Sequence, residues 1–141
     1  DVASKNKTLS DFSKTPKKVE ENEKKSTVIV DHREKANKIV KLLMDLGVDI
    51  KLEKLDVGDY LLSDSVCVEY KTVSDFVNSI IDGRFLSQLK ELKKYDKPLV
   101  IVEGVEDIYS QRNISPNAIR GIITTCMIDY GIPIFFSRDN N

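Results

Sequence analysis

The chain has 141 residues, of which 40% are hydrophobic and 32% are charged, with 22 basic and 23 acidic side chains. This length and composition fit one globular domain with a modest core and a polar tail. No apolar run approaches transmembrane length and no signal-peptide pattern is present, so we expect an intracellular protein that does not enter a membrane. The near-neutral balance excludes a domain that holds nucleic acid through a strong overall basic excess.

Residues 1–26 are predicted to be a disordered polar linker, and residues 27–141 to form the folded domain. The first segment is rich in Lys, Ser, Asn and Glu and sustains no apolar period, so it cannot bury enough surface to offset its ordering entropy. Within it, Asn6, Leu9 and Phe12 loosely resemble the short motif by which replication proteins dock on the sliding clamp. An ordinary linker with two apolar residues is the alternative.

From residue 27 onwards, strand patterns and helix patterns alternate. Strands are predicted at 27–31, 48–56, 98–104 and 132–137, and helices at 35–47, 72–83, 84–95 and 115–131. Residues 55–71 form a predicted hairpin, and Thr72 and Ser115 are candidate helix N-caps. We therefore predict an α/β fold: a three-layer domain built on a mixed sheet with an early antiparallel meander.

The hairpin gathers three charged side chains on one face of the sheet. With Asp64 at the centre of the turn, the pairing register sets Asp59 opposite Glu69, and strand alternation puts Lys71 on the same face. Two facing carboxylates repel each other unless a cation or proton lies between them, and their oxygens suit Mg²⁺ or Mn²⁺. A nearby lysine can act on a metal-bound water or on a phosphate. The pattern favours metal-dependent phosphodiester hydrolysis; a solvated surface ion pair is the alternative.

Several segments resemble the nuclease domain of the XPF/Hef structure-specific endonucleases, whose signature is Gly-Asp, a spacer, and Glu-Arg-Lys-x-x-x-Asp. The matching segments are VIVDHRE (28–34), GDY (58–60), VEYKTVSD (68–75), IIDGRFLSQL (80–89) and SPNAIRG (115–121). They occur in the family's order and cover most of residues 27–137. The chain resembles archaeal Hef-type proteins in particular, in which a polar linker separates a helicase from the nuclease.

The resemblance implies a restriction-endonuclease-like core, a divalent cation, Mg²⁺ or Mn²⁺, and cleavage of branched DNA such as forks and flaps in repair or replication restart. It also implies a homodimer, an upstream helicase domain, a downstream helix-hairpin-helix domain, and action on the archaeal chromosome. The implied catalytic residues are Asp31, Arg33, Glu34, Asp59, Glu69 and Lys71, with Asp31, Asp59 and Glu69 as metal ligands. Arg84 and Asp75 are implied substrate or network residues, although Asp75 equally fits a capping role.

One position departs from the family pattern, because Tyr70 stands where the family has arginine. Alternation directs Tyr70 away from Glu69 and Lys71, so the metal-binding set can survive the change. A catalytically inactive family member that serves as a dimerisation and DNA-docking platform is the alternative function. A nucleotide-binding or receiver-like module with Asp31 as its acidic site is a second alternative, which requires a wholly parallel sheet and a Gly-rich loop.

Other residues have a structural and a functional interpretation. Cys67 and Cys126 lack zinc-site or redox spacing and are predicted to be core thiols. Arg112 and Arg120 are expected to form local contacts more readily than DNA contacts. Gly121, inside a predicted helix, permits the close approach of another backbone, either within the subunit or in the dimer that the resemblance implies.

Overall fold

The computed structural model describes residues 25–111 and 113–138, so the linker motif at Asn6, Leu9 and Phe12 and the side chain of Arg112 lie outside the described residues. The strands are β1 (Thr27–Asp31), β2 (Asp49–Glu53), β3 (Tyr60–Leu61), β4 (Val66–Thr72), β5 (Lys97–Glu103) and β6 (Ile134–Ser137). The α-helices are α1 (Lys38–Asp45), α2 (Val73–Ile81), α3 (Arg84–Leu92) and α4 (Pro116–Thr124). A π-helical stretch, Thr125–Asp129, continues α4.

The six strands form one mixed sheet in the order β2-β1-β3-β4-β5-β6. β1 and β2 are parallel, as are β4, β5 and β6, whereas β3 runs antiparallel to both β1 and β4. The predicted mixed α/β fold with an early antiparallel meander is confirmed. The wholly parallel sheet that a receiver-like module requires is excluded.

Apolar side chains pack on both faces of this sheet, which gives the three predicted layers. On one face, α1 covers a small core that includes Val28, Val30 and Val68. On the other face, α2, α3 and α4 enclose a larger core, whose buried members include Phe76, Phe85, Leu89, Val100 and Ile119. In this larger core the rings of Phe76 and Phe85 meet edge to face, with centroids 5.1 Å apart. The sheet is therefore the central layer, with helices on each side.

Helix starts follow the predicted caps. The side-chain oxygens of Thr72 and Ser115 accept hydrogen bonds from the backbone N–H groups of Asp75 and Ala118, each at 3.2 Å. Pro116 follows Ser115 at the first helical position, where a missing N–H has no cost. Within residues 25–111 and 113–138, no helix has both the length and the apolar character that crossing a membrane requires.

The hairpin keeps the predicted register but has a shorter first strand. Tyr60 pairs with Val68 and Leu61 with Cys67, as the turn predicts. The backbone N–H of Asp59 also donates to the carbonyl of Val68, at 2.9 Å, so Asp59 and Tyr60 both lie opposite Val68. This is the arrangement of a β-bulge, which re-aims a side chain at the end of a ladder. Asp59 therefore lies just outside the strand pairing rather than directly across from Glu69.

Gly58 is required at this bulge for two independent reasons. Its φ is +81°, in the left-handed region that favours glycine. A Cβ added there would lie 2.1 Å from the Sγ atom of Cys67, which is fully buried. Gly47 has a similar φ of +84°, but no atom of the described residues lies within 4 Å of its Cβ position. Substitutions at the two glycines therefore distinguish the cost of backbone strain from the cost of steric contact.

We predict that Gly58→Ala lowers the free energy of unfolding more than Gly47→Ala does. Both changes place alanine at positive φ, which costs about 1–2 kcal/mol, but only the change at Gly58 also drives a methyl group into Cys67. Urea unfolding of the two variants measures the difference. Combining Gly58→Ala with Cys67→Ala should cost less than the sum of the single changes. Equal losses at the two glycines would contradict this account.

Candidate active site

Glu69 and Lys71 lie on the face of β4 that α2 and α3 cover. Cys67, two residues earlier, packs in the larger core, whereas Val68 and Tyr70 pack on the opposite face. Glu69 and Lys71 are only 8% and 7% exposed, and Lys71 Nζ lies 3.4 Å from Glu69 Oε1. Burial of both partners excludes the solvated surface pair that was the alternative for this hairpin.

Backbone hydrogen bonds hold Asp59 between β1 and β4. Its N–H donates to Val68, and its carbonyl accepts the N–H of Asp31 at 2.9 Å. Its carboxylate Oδ2 accepts the N–H of Tyr70 at 2.8 Å. Because all three contacts involve main-chain atoms, the position of this carboxylate depends on the fold rather than on neighbouring side chains.

Asp59 and Glu69 line one cleft of about 230 Å³, together with Arg33 on one side and Gln88 and Glu91 of α3 on the other. A water molecule occupies about 30 Å³ in the liquid. The cleft therefore has room for a cation together with several of its waters. We call it the Asp59–Glu69 cleft.

The two carboxylates disfavour each other's charge. Burial and the nearby charge of Glu69 raise the pKa of Asp59 to about 7. Burial also raises the pKa of Glu69, and the ammonium of Lys71 offsets part of that effect. Lys71 and Arg33 offset only part of this cost, because the pKa of each carboxyl group stays raised. A cation bound in the cleft would stabilise both ionised forms.

This donor set fits Mg²⁺ or Mn²⁺. In the part of the chain that the structure describes, no three side chains of His, Cys, Asp or Glu are grouped to hold a metal ion. Mg²⁺ does not need such a cage, because it keeps several waters and is commonly bound by one or two carboxylates together with substrate phosphates. Asp59 and Glu69 supply those carboxylates, and the cleft supplies the space.

Asp31, the third predicted metal ligand, does not line this cleft. Its Oδ1 accepts the backbone N–H of Leu55 at 2.8 Å, and its Oδ2 accepts Nε of Arg33 at 2.6 Å. Although burial acts to raise the pKa of Asp31, the hydrogen bonds from Arg33 and Leu55 hold it below its ordinary value. Asp31 lines a neighbouring cleft of about 270 Å³. Its oxygens are thus already engaged by the protein.

Arg33 connects the two clefts, because its side chain lines both. The hydrogen bond to Asp31 raises the pKa of Arg33, and the charges of Asp59 and Glu69 act in the same direction. The side chain of Arg33 is nevertheless 70% exposed. It offers a fixed guanidinium that solvent and ligands can reach.

Lys71 pairs with Glu69 but does not itself line the Asp59–Glu69 cleft, and the remaining predicted residues, Glu34, Arg84 and Asp75, do not line it either. Glu34 accepts a hydrogen bond from the hydroxyl of Tyr60, which packs in the core beneath α1. Arg84 pairs with Asp82 at the exposed start of α3, with Nε 2.7 Å from Oδ2. Asp75 is exposed at the start of α2, where its backbone takes part in the cap.

Tyr70, which replaces the family arginine, faces the opposite side of the sheet. It lines an apolar cleft of about 330 Å³ next to α1, and its hydroxyl donates to the carboxylate of Glu103 on β5. Burial is the main cause that raises the pKa of this hydroxyl. The side chain at position 70 therefore supports the sheet and leaves the Asp59–Glu69 cleft untouched.

The other candidate residues form structural contacts. Cys67 and Cys126 are fully buried, and burial raises the pKa of each thiol to about 12, as expected of core thiols. The guanidinium of Arg120 lies 4.6 Å from the centroid of the Tyr109 ring and donates to Asn117. These contacts favour the local interpretation of Arg120.

Sequence reasoning missed the contribution of α3 to the cleft. The apolar positions Phe85, Leu89 and Leu92 were used to orient the helix, and all three are buried. Gln88 borders that apolar stripe, and its position beside Leu89 was the available signal that it faces the interior. Glu91 carried no such signal, because an acidic residue near a helix end is ordinarily solvated.

We predict that the stability of the metal-free protein depends on the ionisation of Asp59. In the unfolded chain Asp59 ionises near pH 4, but in the folded protein its pKa is about 7. The unfolded state therefore loses this proton first, and the free energy of unfolding falls as pH rises through that window, by at most about 1.4 kcal/mol per pH unit.

Urea unfolding of the wild type and Asp59→Asn at pH 4.5 and pH 8 tests this expectation. The asparagine retains an acceptor for the N–H of Tyr70 but has no charge. The free energy of unfolding of Asp59→Asn, relative to that of the wild type, should be higher at pH 8 than at pH 4.5. A difference between the two proteins that does not change with pH would contradict the raised pKa.

Comparison with known proteins identifies the class of this domain. XPF from Aeropyrum pernix has the same fold, with a TM-score of 0.74 and 37% identity over 81% of this chain and 57% of that chain. A second structure of that protein, in complex with DNA, matches with the same TM-score and 36% identity over 82% of this chain. Residues 30–141 match the ERCC4 domain, and the chain belongs to this family. The resemblance to XPF/Hef nucleases is confirmed.

Relatives with curated names agree with this family. The putative ATP-dependent RNA helicase MJ1505 of Methanocaldococcus jannaschii is 52% identical over 112 residues, which cover 79% of this chain and 14% of that protein. The 3'-flap repair endonuclease Xpf of Saccharolobus solfataricus is 41% identical over 115 residues, covering 79% of this chain and 48% of that protein. The chain thus spans half or less of the length of these relatives.

Proposed function

We propose that this domain is a divalent-metal-dependent endonuclease that cleaves branched DNA, such as forks and flaps, in repair or replication restart. The proposal rests on two carboxylates in one cleft, the half-buried Asp59 and the buried Glu69, with Lys71 Nζ 3.4 Å from Glu69. The family supports it, since one relative is named a 3'-flap repair endonuclease and an XPF structure contains DNA. These names also support action on the chromosome inside the cell.

In the proposed mechanism, Asp59 and Glu69 would hold Mg²⁺ or Mn²⁺, which when bound would supply Lewis-acid chemistry for phosphodiester hydrolysis. Lys71 places an ammonium beside Glu69, where it offsets charge that develops on the phosphate. Arg33 presents its exposed guanidinium to the DNA backbone, and Asp31 contributes by holding Arg33 rather than as a third ligand.

Partner proposals rest on the exposed apolar surface of the late elements. Met127 and Ile128, after α4, are 50% and 75% exposed, and Phe135 on the edge strand β6 is 60% exposed. Gly121 on α4 has no described atom within 4 Å of its Cβ position, so it leaves room for another backbone. These features support a homodimer that forms through α4 and β6.

The whole protein is proposed to contain further domains. A relative named as a helicase, of which this chain covers 14%, supports an upstream helicase domain. The downstream helix-hairpin-helix domain and clamp binding through Asn6, Leu9 and Phe12 remain predictions. Further DNA-binding domains would raise the affinity of this near-neutral domain for DNA, because affinity for the DNA backbone requires positive charge.

Cleavage of an end-labelled DNA fork tests the proposed function. With Mg²⁺ or Mn²⁺, the wild-type chain should cut the fork, and Glu69→Gln and Lys71→Met should each slow cleavage by about 10²-fold or more, because removing one electrostatic contact to a transition state has effects of this size. Glu53→Gln and Lys51→Met are matched controls, since Lys51 and Glu53 form the same kind of pair, at 2.9 Å, on the exposed strand β2.

The same assay separates the alternative function from the proposed one. A catalytically inactive platform binds the fork but yields only background products, and Glu69→Gln changes neither result. Cleavage that persists in Glu69→Gln at the wild-type rate would place the reaction outside the Asp59–Glu69 cleft. Either outcome would contradict the proposal.

A further inference from the structure

We propose that Gln88 is a further binding residue of the cation site, with its side-chain carbonyl oxygen as a third protein oxygen beside Asp59 and Glu69. This inference rests on the proposed function and deepens it. It assigns a role to a residue on α3, an element outside the hairpin that carries the two carboxylates and the lysine.

The first observation is an orphaned acceptor. Within the described residues, the Oε1 atom of Gln88 is sealed from solvent and has no hydrogen-bond partner. Buried polar side-chain atoms are nearly always paired, and an unpaired one costs stability. An exception of this kind calls for a ligand, an ion or a water that the protein atoms alone do not supply.

The second observation is where this side chain lies. Gln88 lines the Asp59–Glu69 cleft together with both carboxylates. The helix cannot easily rotate it away, because Phe85, Leu89 and Leu92 are at most 1% exposed and fix α3 against the sheet. The side chain that carries the orphaned oxygen therefore borders the same small space as the two groups that need a cation.

The amide oxygen of Gln88 is also chemically suited to a cation site. Amide oxygens are hard, neutral donors of the type that Mg²⁺ and Mn²⁺ accept beside carboxylates and water. Asp59 and Glu69 already raise the cost of negative charge in the cleft. A glutamine adds an oxygen ligand without adding a third negative charge. Glu91, which also lines the cleft, is occupied by an ion pair with Lys94.

Mn²⁺ binding to the full chain, measured by titration calorimetry and electron paramagnetic resonance, tests the proposal without relying on cleavage. Gln88→Met keeps the shape but removes the oxygen, and should weaken Mn²⁺ binding by about 10- to 100-fold, the usual effect of losing a supporting residue at a metal site. Gln88→Glu keeps an oxygen and should bind Mn²⁺ at least as tightly as the wild type. Gln111→Met, at a glutamine whose amide donates to Asp107, is the matched control.

The stability of Gln88→Met provides a second measurement, because a ligand role and a purely structural role predict changes of opposite sign. Without divalent cations, Gln88→Met should unfold at the same or a higher urea concentration than the wild type, since it removes an unpaired buried acceptor. A loss of stability with unchanged Mn²⁺ affinity would show that Gln88 only packs, and would overturn the proposal.

Wild-type behaviour distinguishes failure of this inference from failure of the proposed function. If the wild type binds Mn²⁺ and cuts DNA while Gln88→Met binds Mn²⁺ equally well, only the role of Gln88 is wrong. If the wild type neither binds Mn²⁺ nor cuts DNA, the proposed function fails, and the role of Gln88 fails with it.

Discussion

The repulsion between Asp59 and Glu69 is the interaction on which the rest of this structure's chemistry depends. Gly58 allows the chain to bulge against Cys67 and Val68, and backbone hydrogen bonds then fix the Asp59 carboxylate at the cleft. Burial raises the pKa of each carboxyl group, and the charge of Glu69 raises that of Asp59 further. Keeping two repelling carboxylates together costs the folded protein stability. Binding a cation would recover this cost, which gives the pair a function.

The two faces of β4 have different roles, which explains why the cleft keeps its carboxylates although Tyr70 departs from the family's sequence signature. Glu69 lines the cleft and Lys71 pairs with it, whereas Tyr70 faces the small core and joins β4 to Glu103 of β5. Replacing arginine by tyrosine at position 70 therefore changes the support of the sheet and not the donor set. The period of two in a strand makes this separation strict.

Much of the fold and part of the site could be predicted from the sequence. Caps such as Thr72 and Ser115 and the turn at 63–65 act over a few residues, so the elements and the hairpin register follow from local patterns. The bulge at Asp59 depends on the approach of Gly58 to Cys67, which no local pattern contains. The partners of Asp31 and the orientation of Gln88 depend likewise on how β1, the loop before β3 and α3 pack together. Such long-range packing gives no signal at fixed spacing.

Anomalous diffraction from crystals of this chain grown with Mn²⁺ would show directly whether Asp59 and Glu69 bind a cation together. We expect an anomalous peak in the Asp59–Glu69 cleft, within coordination distance of a carboxylate oxygen of each residue and on the side that Gln88 faces. A cleft without a peak, or Mn²⁺ bound only at surface carboxylates while Glu69 stays paired with Lys71 alone, would contradict this expectation.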